Sequence, residues 1–179
     1  MIKKNMWNTG AKAGLILGLV STVYMFITQL LGTVQMGAFL SSALSLVLWA
    51  AKFGGCIWIM SFFMKKFAAE NPEADNSKTF KFGMVASILS ALIFAAANFV
   101  NMAYISADFF QTQMEAVMQA MAPQLDSNMM QSMEKTLENL PQMMFFYYLI
   151  YCFIFGTILS AILSRNIPSR NPFADSRTE

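Results

Sequence analysis

The chain has 179 residues, of which 56% are hydrophobic and only 12% are charged. Soluble domains usually carry about 25% charged residues, so this composition, together with a mean hydropathy of +0.49, argues against a soluble protein. The net charge of +2 and the lack of histidine argue against a basic nucleic-acid surface and remove the commonest metal ligand and general base.

The N-terminal half contains two apolar segments that are long enough to cross a bilayer. A spanning helix needs about 20 apolar residues, because each residue adds about 1.5 Å across a core about 30 Å thick. The first predicted span, residues 13–31, follows a cytoplasmic N-terminus, residues 1–12, and is followed by a short outer turn, residues 32–39. The second predicted span, residues 40–64, contains one charged residue, Lys52.

The C-terminal half contains two more such segments. A charged loop, residues 65–81, leads into the third predicted span, residues 82–104. The fourth span, residues 143–163, is aromatic-rich and is followed by a tail, residues 164–179, whose prolines and scattered charges predict disorder. The pattern predicts an all-α, polytopic membrane protein with a four-transmembrane-helix bundle.

The segment between spans three and four, residues 105–142, has a different, amphipathic pattern that predicts a helical hairpin outside the membrane. The apolar residues of its first helix are Phe110, Met114, Val117, Met118 and Met121. Those of its second helix are Met130, Met133, Leu137 and Leu140. We expect Ser127 to be the N-cap of the second helix.

Basic residues near the ends of the spans predict the orientation of the chain. On one side of the predicted spans lie Lys3, Lys4, Lys12, Lys65, Lys66, Lys78, Lys81, Arg165, Arg170 and Arg177. On the other side the only basic residue is Lys135. Because basic residues accumulate in cytoplasmic loops, both termini and the middle loop are predicted to be cytoplasmic.

Small residues recur at about four-residue spacing in every span, and such ridges allow close packing of helices in lipid. The ridges contain Gly10, Gly14 and Gly18 in span one, Ser41, Ser45, Ala51 and Gly55 in span two, Gly83, Ser87, Ala91 and Ala95 in span three, and Gly156, Ser160 and Ser164 in span four. They predict a compact bundle. The first ridge is also compatible with self-association of two chains.

Lys52 lies about 12 residues from either end of its span, near the middle of the bilayer, where a charge costs about 2.5–3.5 kcal/mol on insertion scales. No carboxylate occurs in any predicted span, so we predict a candidate polar site of Lys52, Asn98 and Asn101. Three roles remain open: a structural lysine satisfied by amides or by snorkelling, a neutral amine, or a cation that awaits an anionic group. A rival placement, with residues 33–51 across the membrane, would instead put Lys52 at the cytoplasmic interface.

Three stretches resemble one family of proteins. They are Gly10-Ala-Lys-Ala-Gly14-Leu-Ile-Leu-Gly18, Thr79-Phe80-Lys81-Phe82-Gly83, and the acidic amphipathic segment that opens at Asp108-Phe109. Over roughly residues 8–165 the chain resembles an uncharacterised family of Bacteroidota inner-membrane proteins catalogued as a domain of unknown function (number 4199). The resemblance implies a bacterial inner membrane and a four-helix bundle, but it implies no activity.

The sequence offers no motif for catalysis, for a cofactor or for a metal. Cys56 and Cys152 each lie alone in a span, where we expect small apolar packing residues rather than a redox pair. We therefore expect a non-enzymatic accessory, assembly or envelope-maintenance factor that acts through a membrane-protein partner or a homo-oligomer. The alternative is a small oligomeric carrier or channel-like protein that uses the intramembrane polar residues.

Overall fold

The computed structural model describes residues 2–34, 37–71, 74–121 and 126–167. Its elements in this part of the chain are all helical. They are α1 (Ile2–Thr33), α2 (Ala38–Glu70), α3 (Asn76–Val100), a π-helix (Asn101–Ile105), α4 (Ala107–Met121), α5 (Ser127–Glu138) and α6 (Leu140–Asn166). The chain folds into two compact units. The first unit comprises Met1–Phe94 and Leu149–Glu179, and the second comprises Ala95–Tyr148.

Four of the helical stretches are long and apolar enough to cross a membrane. They are Met6–Thr33, Phe39–Glu70, Asn76–Ile105 and Leu140–Asn166. Their outward surfaces carry large apolar side chains, among them Trp58 at 69% exposure and Leu46 at 66%. Apolar surface of this extent needs lipid or protein against it. The predicted fold class, all-α with four helices able to span a bilayer, is therefore confirmed, and the chain has the properties of an integral membrane protein.

The helices extend beyond the predicted spans because hydrogen bonding continues into the flanking polar residues. The N-terminal segment is helical from Ile2, and α6 reaches Asn166, so residues 164–166 of the predicted tail are helical. Arg165 lies in this last turn, where a cation is favoured by the helix dipole. The rest of the predicted tail, residues 168–179, and the prolines at positions 72 and 123 lie outside the described residues.

In the first unit, the C-terminal end of α2 packs against the N-terminal part of α3. The rings of Phe67 and Phe82 stack with centroids 4.5 Å apart, and both side chains are fully buried. The Asn71 side-chain amide donates to the Phe67 carbonyl at 2.8 Å, which covers an end carbonyl of α2. The Asp75 carboxylate accepts from the Lys78 backbone N–H at 2.7 Å, as an N-cap residue does.

Helix α3 packs along the glycine ridge of α1. A Cβ placed on Gly14 would lie 2.7 Å from the Cβ of Leu89 and 2.8 Å from the carbonyl oxygen of Ala86. Gly10 meets Val85 in the same way, and Gly18 meets Ile93. Because the residue numbers rise together in these pairs, α1 and α3 run parallel. This close approach to backbone requires glycine at position 14.

Helices α3 and α6 meet through a reciprocal exchange of glycine and serine. Gly83 of α3 faces Ser160 of α6, and Gly156 of α6 faces Ser87 of α3; in both pairs an added glycine Cβ would lie 2.6 Å from the serine Cβ. The Ser87 hydroxyl donates to the Gly83 carbonyl at 2.8 Å, and the Ser160 hydroxyl donates to the Gly156 carbonyl at 2.6 Å. The two helices are antiparallel, and each serine is satisfied within its own helix.

The second unit contains the amphipathic helices. The half-buried residues of α5 are Met130, Met133 and Leu137, on the predicted face. On α4, Phe110, Met114 and Met118 are half-buried, whereas Val117 and Met121 are 46% and 40% exposed.

The predicted N-cap of α5 is wrong by one residue. Asp126, not Ser127, occupies the cap position, and its carboxylate accepts from the Met129 backbone N–H at 2.8 Å. An aspartate is as good an N-cap residue as a serine, and it adds a negative charge at the positive end of the helix dipole. This explains why the helix is capped by Asp126, one residue before the predicted position.

Replacing Gly14 by alanine is expected to destabilise the bundle by about 1–3 kcal/mol, because the new methyl group overpacks the contact with α3. The matched control is Gly54→Ala on α2, where an added Cβ meets nothing within 4 Å; its effect should be neutral or favourable by up to about 1 kcal/mol. Unfolding in mixed micelles, followed by circular dichroism, measures both changes. Equal effects of the two substitutions would contradict the packing described for Gly14.

Candidate functional site around Lys52

Lys52 lies inside α2, which continues without a break from Ala38 to Glu70. Counted along the helix, it is 14 residues from the first residue of α2 and 18 from the last. The rival placement would begin a membrane crossing at Thr33, but Thr33 is the last residue of α1 and α2 begins at Ala38. The depth of Lys52 in the membrane stays a prediction.

The ammonium group of Lys52 is held by aromatic rings. Its Nζ lies 4.7 Å from the ring centroid of Tyr24 on α1 and 5.3 Å from that of Phe94 on α3. Both distances are within the range of attraction between a cation and a ring face. Among the described residues this ammonium has neither an ion pair nor a hydrogen bond. The two rings are therefore the neighbours that can stabilise a positive charge on Lys52.

Lys52 lines a cavity of about 180 Å³ in the first unit, which we call the Lys52 cavity. Its aromatic wall consists of Trp49, Phe53, Phe94, Tyr151 and Phe155. Its small polar groups belong to Ser21, Cys56, Ser87, Ser90 and Cys152. Both cysteines are free thiols. The cavity thus combines one cation with a mainly apolar wall and a few hydroxyl groups.

Asn98 and Asn101 belong to the second unit, where both are buried. Asn101 begins the π-helix. Its backbone carbonyl accepts from the Ser106 N–H at 2.8 Å, and its side-chain oxygen accepts from the Ser106 hydroxyl at 3.0 Å. The grouping of these asparagines with Lys52 in one polar site stays a prediction.

The π-helix is a feature that sequence reasoning missed. A π-turn has hydrogen bonds between residues five apart instead of four, because one extra residue is inserted into the helix. Such turns are frequent at functional sites. The only signal in the sequence is a pair of polar side chains five residues apart, Asn101 and Ser106. This pair is too common to predict a π-helix by itself.

The second unit contains a larger, open cavity of about 740 Å³. Its apolar wall includes Phe99, Met102, Phe110, Met114, Met118 and Leu137. Its polar rim includes Gln111, Glu115, Gln119, Glu138 and Gln142. The cavity thus combines an apolar wall with a rim of amide and carboxylate groups.

The described residues contain no group of three or more His, Cys, Asp or Glu that would hold a metal ion. In the Lys52 cavity the polar groups are a cation, hydroxyls and thiols. These groups can bind and orient an anion.

Comparison with known protein families shows to which family the chain belongs. The model of the family described as "Protein of unknown function (DUF4199)" matches residues 12–165. The chain belongs to this family. The match includes Lys52 and nearly all of the four helices that are able to span a membrane. No curated protein and no solved structure matches the chain.

Replacing Lys52 by methionine is expected to stabilise the bundle by about 0.5–3 kcal/mol. The substitution removes a charge that costs about 2.5–3.5 kcal/mol at the predicted mid-membrane depth and forfeits cation–π attraction of about 0.5–2 kcal/mol. Unfolding in mixed micelles measures the change. Lys81→Met, at an exposed position near the start of α3, is the control and should change stability by less than about 0.5 kcal/mol. If Lys52→Met lost stability and Lys81→Met did not, the prediction would be wrong, and Lys52 would be a residue that stabilises the fold.

Proposed function

We propose that this chain is a non-enzymatic protein of a bacterial inner membrane that acts through a membrane-protein partner or a second copy of itself. The class of role is that of an accessory, assembly or envelope-maintenance factor. The proposal depends on one observation: of the four ridges of small residues, the one on α2 is left uncovered by the described part of the chain.

The α2 ridge consists of Ser41, Ser45, Ala51 and Gly55. The first three residues are exposed, and a Cβ placed on Gly55 meets no atom within 4 Å. In contrast, the ridge of α1 is covered by α3, and the glycines of α3 and α6 are covered by each other's serines.

An open ridge of small residues matters in a membrane because lipid tails provide no hydrophobic driving force between helices. Association there depends on close backbone approach, which small side chains permit. Leucine-sized side chains would serve equally well against lipid alone, as they do at Leu46 and Val47 of the same helix, which are 66% and 64% exposed. The small residues of the α2 ridge therefore favour a helix from another protein molecule as the neighbour.

The proposed orientation has both termini and the connection between α2 and α3 in the cytoplasm. Lys65, Lys66 and Lys81 are exposed at this connection, and Arg165 is exposed in the last turn of α6. Lys135 is the one basic residue of α5 and is exposed on the other side of the predicted spans. The excess of basic residues on one side supports this orientation.

The orientation is tested by labelling single cysteines in a variant that has serine at positions 56 and 152. In spheroplasts, Lys135→Cys is expected to react with a membrane-impermeant maleimide, whereas Lys66→Cys should react only after the membrane is opened. Both cysteines should react in detergent, which controls for their accessibility. The reverse pattern would place the termini outside and refute the proposed orientation.

The partner is tested by photo-crosslinking from α2 in native membranes. In the same cysteine-free background, Ser45→Cys carries a benzophenone maleimide on the ridge, and Leu46→Cys, at a position that is 66% exposed, carries it at least about 100° around the helix from every residue of the ridge. We expect a discrete adduct with one protein, or with a second copy of the chain, from position 45 and a much weaker one from position 46. No discrete adduct from position 45, or equal adducts from both, would contradict the proposal.

A further inference from the structure

The ammonium group of Lys52 carries a charge that the described residues do not neutralise. Its neighbours are the rings of Tyr24 at 4.7 Å and Phe94 at 5.3 Å, and no carboxylate lines the Lys52 cavity. Aromatic rings attract a cation without removing its charge. In a medium of low dielectric constant, the attraction of such a charge for an anion is strong. The Lys52 cavity is therefore suited to bind a ligand that carries negative charge.

The wall of the cavity limits the number of charges on that ligand. One lysine is the only cationic group in the lining, so a dianion such as phosphate would keep an unpaired charge in an apolar site, which is costly. The Ser87 hydroxyl already donates to the Gly83 carbonyl. The other polar groups that line the cavity are uncharged hydroxyls and thiols, which do not neutralise a second charge. A monovalent anion fits these groups.

The remainder of the wall indicates what the anion is attached to. Trp49, Phe53, Phe155 and Leu159 present apolar surface beside the cation. A dry apolar cavity of about 150 Å³ is large enough to hold benzene in a well-studied protein, and the Lys52 cavity measures about 180 Å³. The space holds a singly charged head group with an apolar body of about six carbon atoms. Because Trp49 and Tyr151 are 55% and 57% exposed, the cavity is open on one side, where a longer alkyl chain can extend out of it.

We propose that the Lys52 cavity binds the carboxylate of an aliphatic monocarboxylate, with the head group at Lys52 Nζ and the alkyl chain against the aromatic wall. This inference goes beyond the proposed partner role and does not depend on it. The carboxylate comes either from a short, water-soluble acid or from a fatty acid of the bilayer. Both sources present the same chemistry to the lysine.

The test uses Trp49, which lines the cavity. The chain has three tryptophans, Trp7, Trp49 and Trp58, so the variant with Trp7→Phe and Trp58→Phe reports on the cavity alone. In neutral detergent, 6-bromohexanoate is expected to quench the fluorescence of Trp49 with a saturable dependence on concentration. Unbrominated hexanoate should reverse the quenching. The neutral analogue 6-bromohexan-1-ol should quench at least tenfold more weakly.

Variants at Lys52 separate recognition of charge from simple partitioning. Lys52→Met should weaken the apparent affinity for 6-bromohexanoate at least tenfold, whereas Lys52→Arg, which keeps the charge, and the control Lys81→Met should stay within about threefold of the parent. Circular dichroism and gel filtration check that each variant is folded. Equal quenching by the acid and the alcohol, or an unchanged affinity in a folded Lys52→Met, would overturn the proposal.

Competition by palmitate identifies the source of the ligand. Stronger competition by palmitate than by hexanoate would indicate a fatty acid from the bilayer, and stronger competition by hexanoate would indicate a soluble acid. Either result supports binding of a carboxylate. The outcome is independent of crosslinking from position 45, so failure of one proposal does not imply failure of the other.

Discussion

The first unit depends on the close approach of α3 to α1 and α6. In lipid, helices gain little by hiding apolar side chains from one another, so they are held by short contacts between backbones. Gly14 of α1 and the exchanged Gly83–Ser160 and Gly156–Ser87 pairs provide these contacts. Of the four apolar helices, α3 is the most buried. Helix α3 also contributes Ser87, Ser90 and Phe94 to the wall of the Lys52 cavity.

The same geometry explains how a lysine is accommodated. Helix α3 brings Phe94 to the ammonium group, and α1 brings Tyr24 to it. The two rings lower the cost of the charge without neutralising it. Lys52 thus lies in a mainly apolar cavity whose lining contains no carboxylate, which is unusual because ionisable groups in membrane-spanning helices normally pair with one another.

Much of the architecture was predictable from the sequence, because hydrophobic length and small-residue spacing are local properties of the chain. The four helices able to span a membrane and the buried face of α5 follow from periodicity alone. The grouping of Tyr24 and Phe94 around Lys52 was not predictable from periodicity. These three residues lie on three different helices, and only the packing of the helices brings them together. The N-cap of α5 and the π-helix depend on competition between adjacent polar groups, Asp126 with Ser127 and Asn101 with Ser106, which periodicity does not resolve.

The exchanged serines of α3 and α6 have a consequence for how the chain enters the bilayer. Because each hydroxyl proton is given to a carbonyl of its own helix, neither helix needs the other in order to satisfy these polar groups in lipid. Helix α6 is therefore tolerated as an independent segment during synthesis, although about 50 residues separate it from the serine and glycine of α3 that it later meets. For these two serine–glycine contacts, assembly is then a docking of finished helices by shape, in which neither serine hydrogen bond must be exchanged.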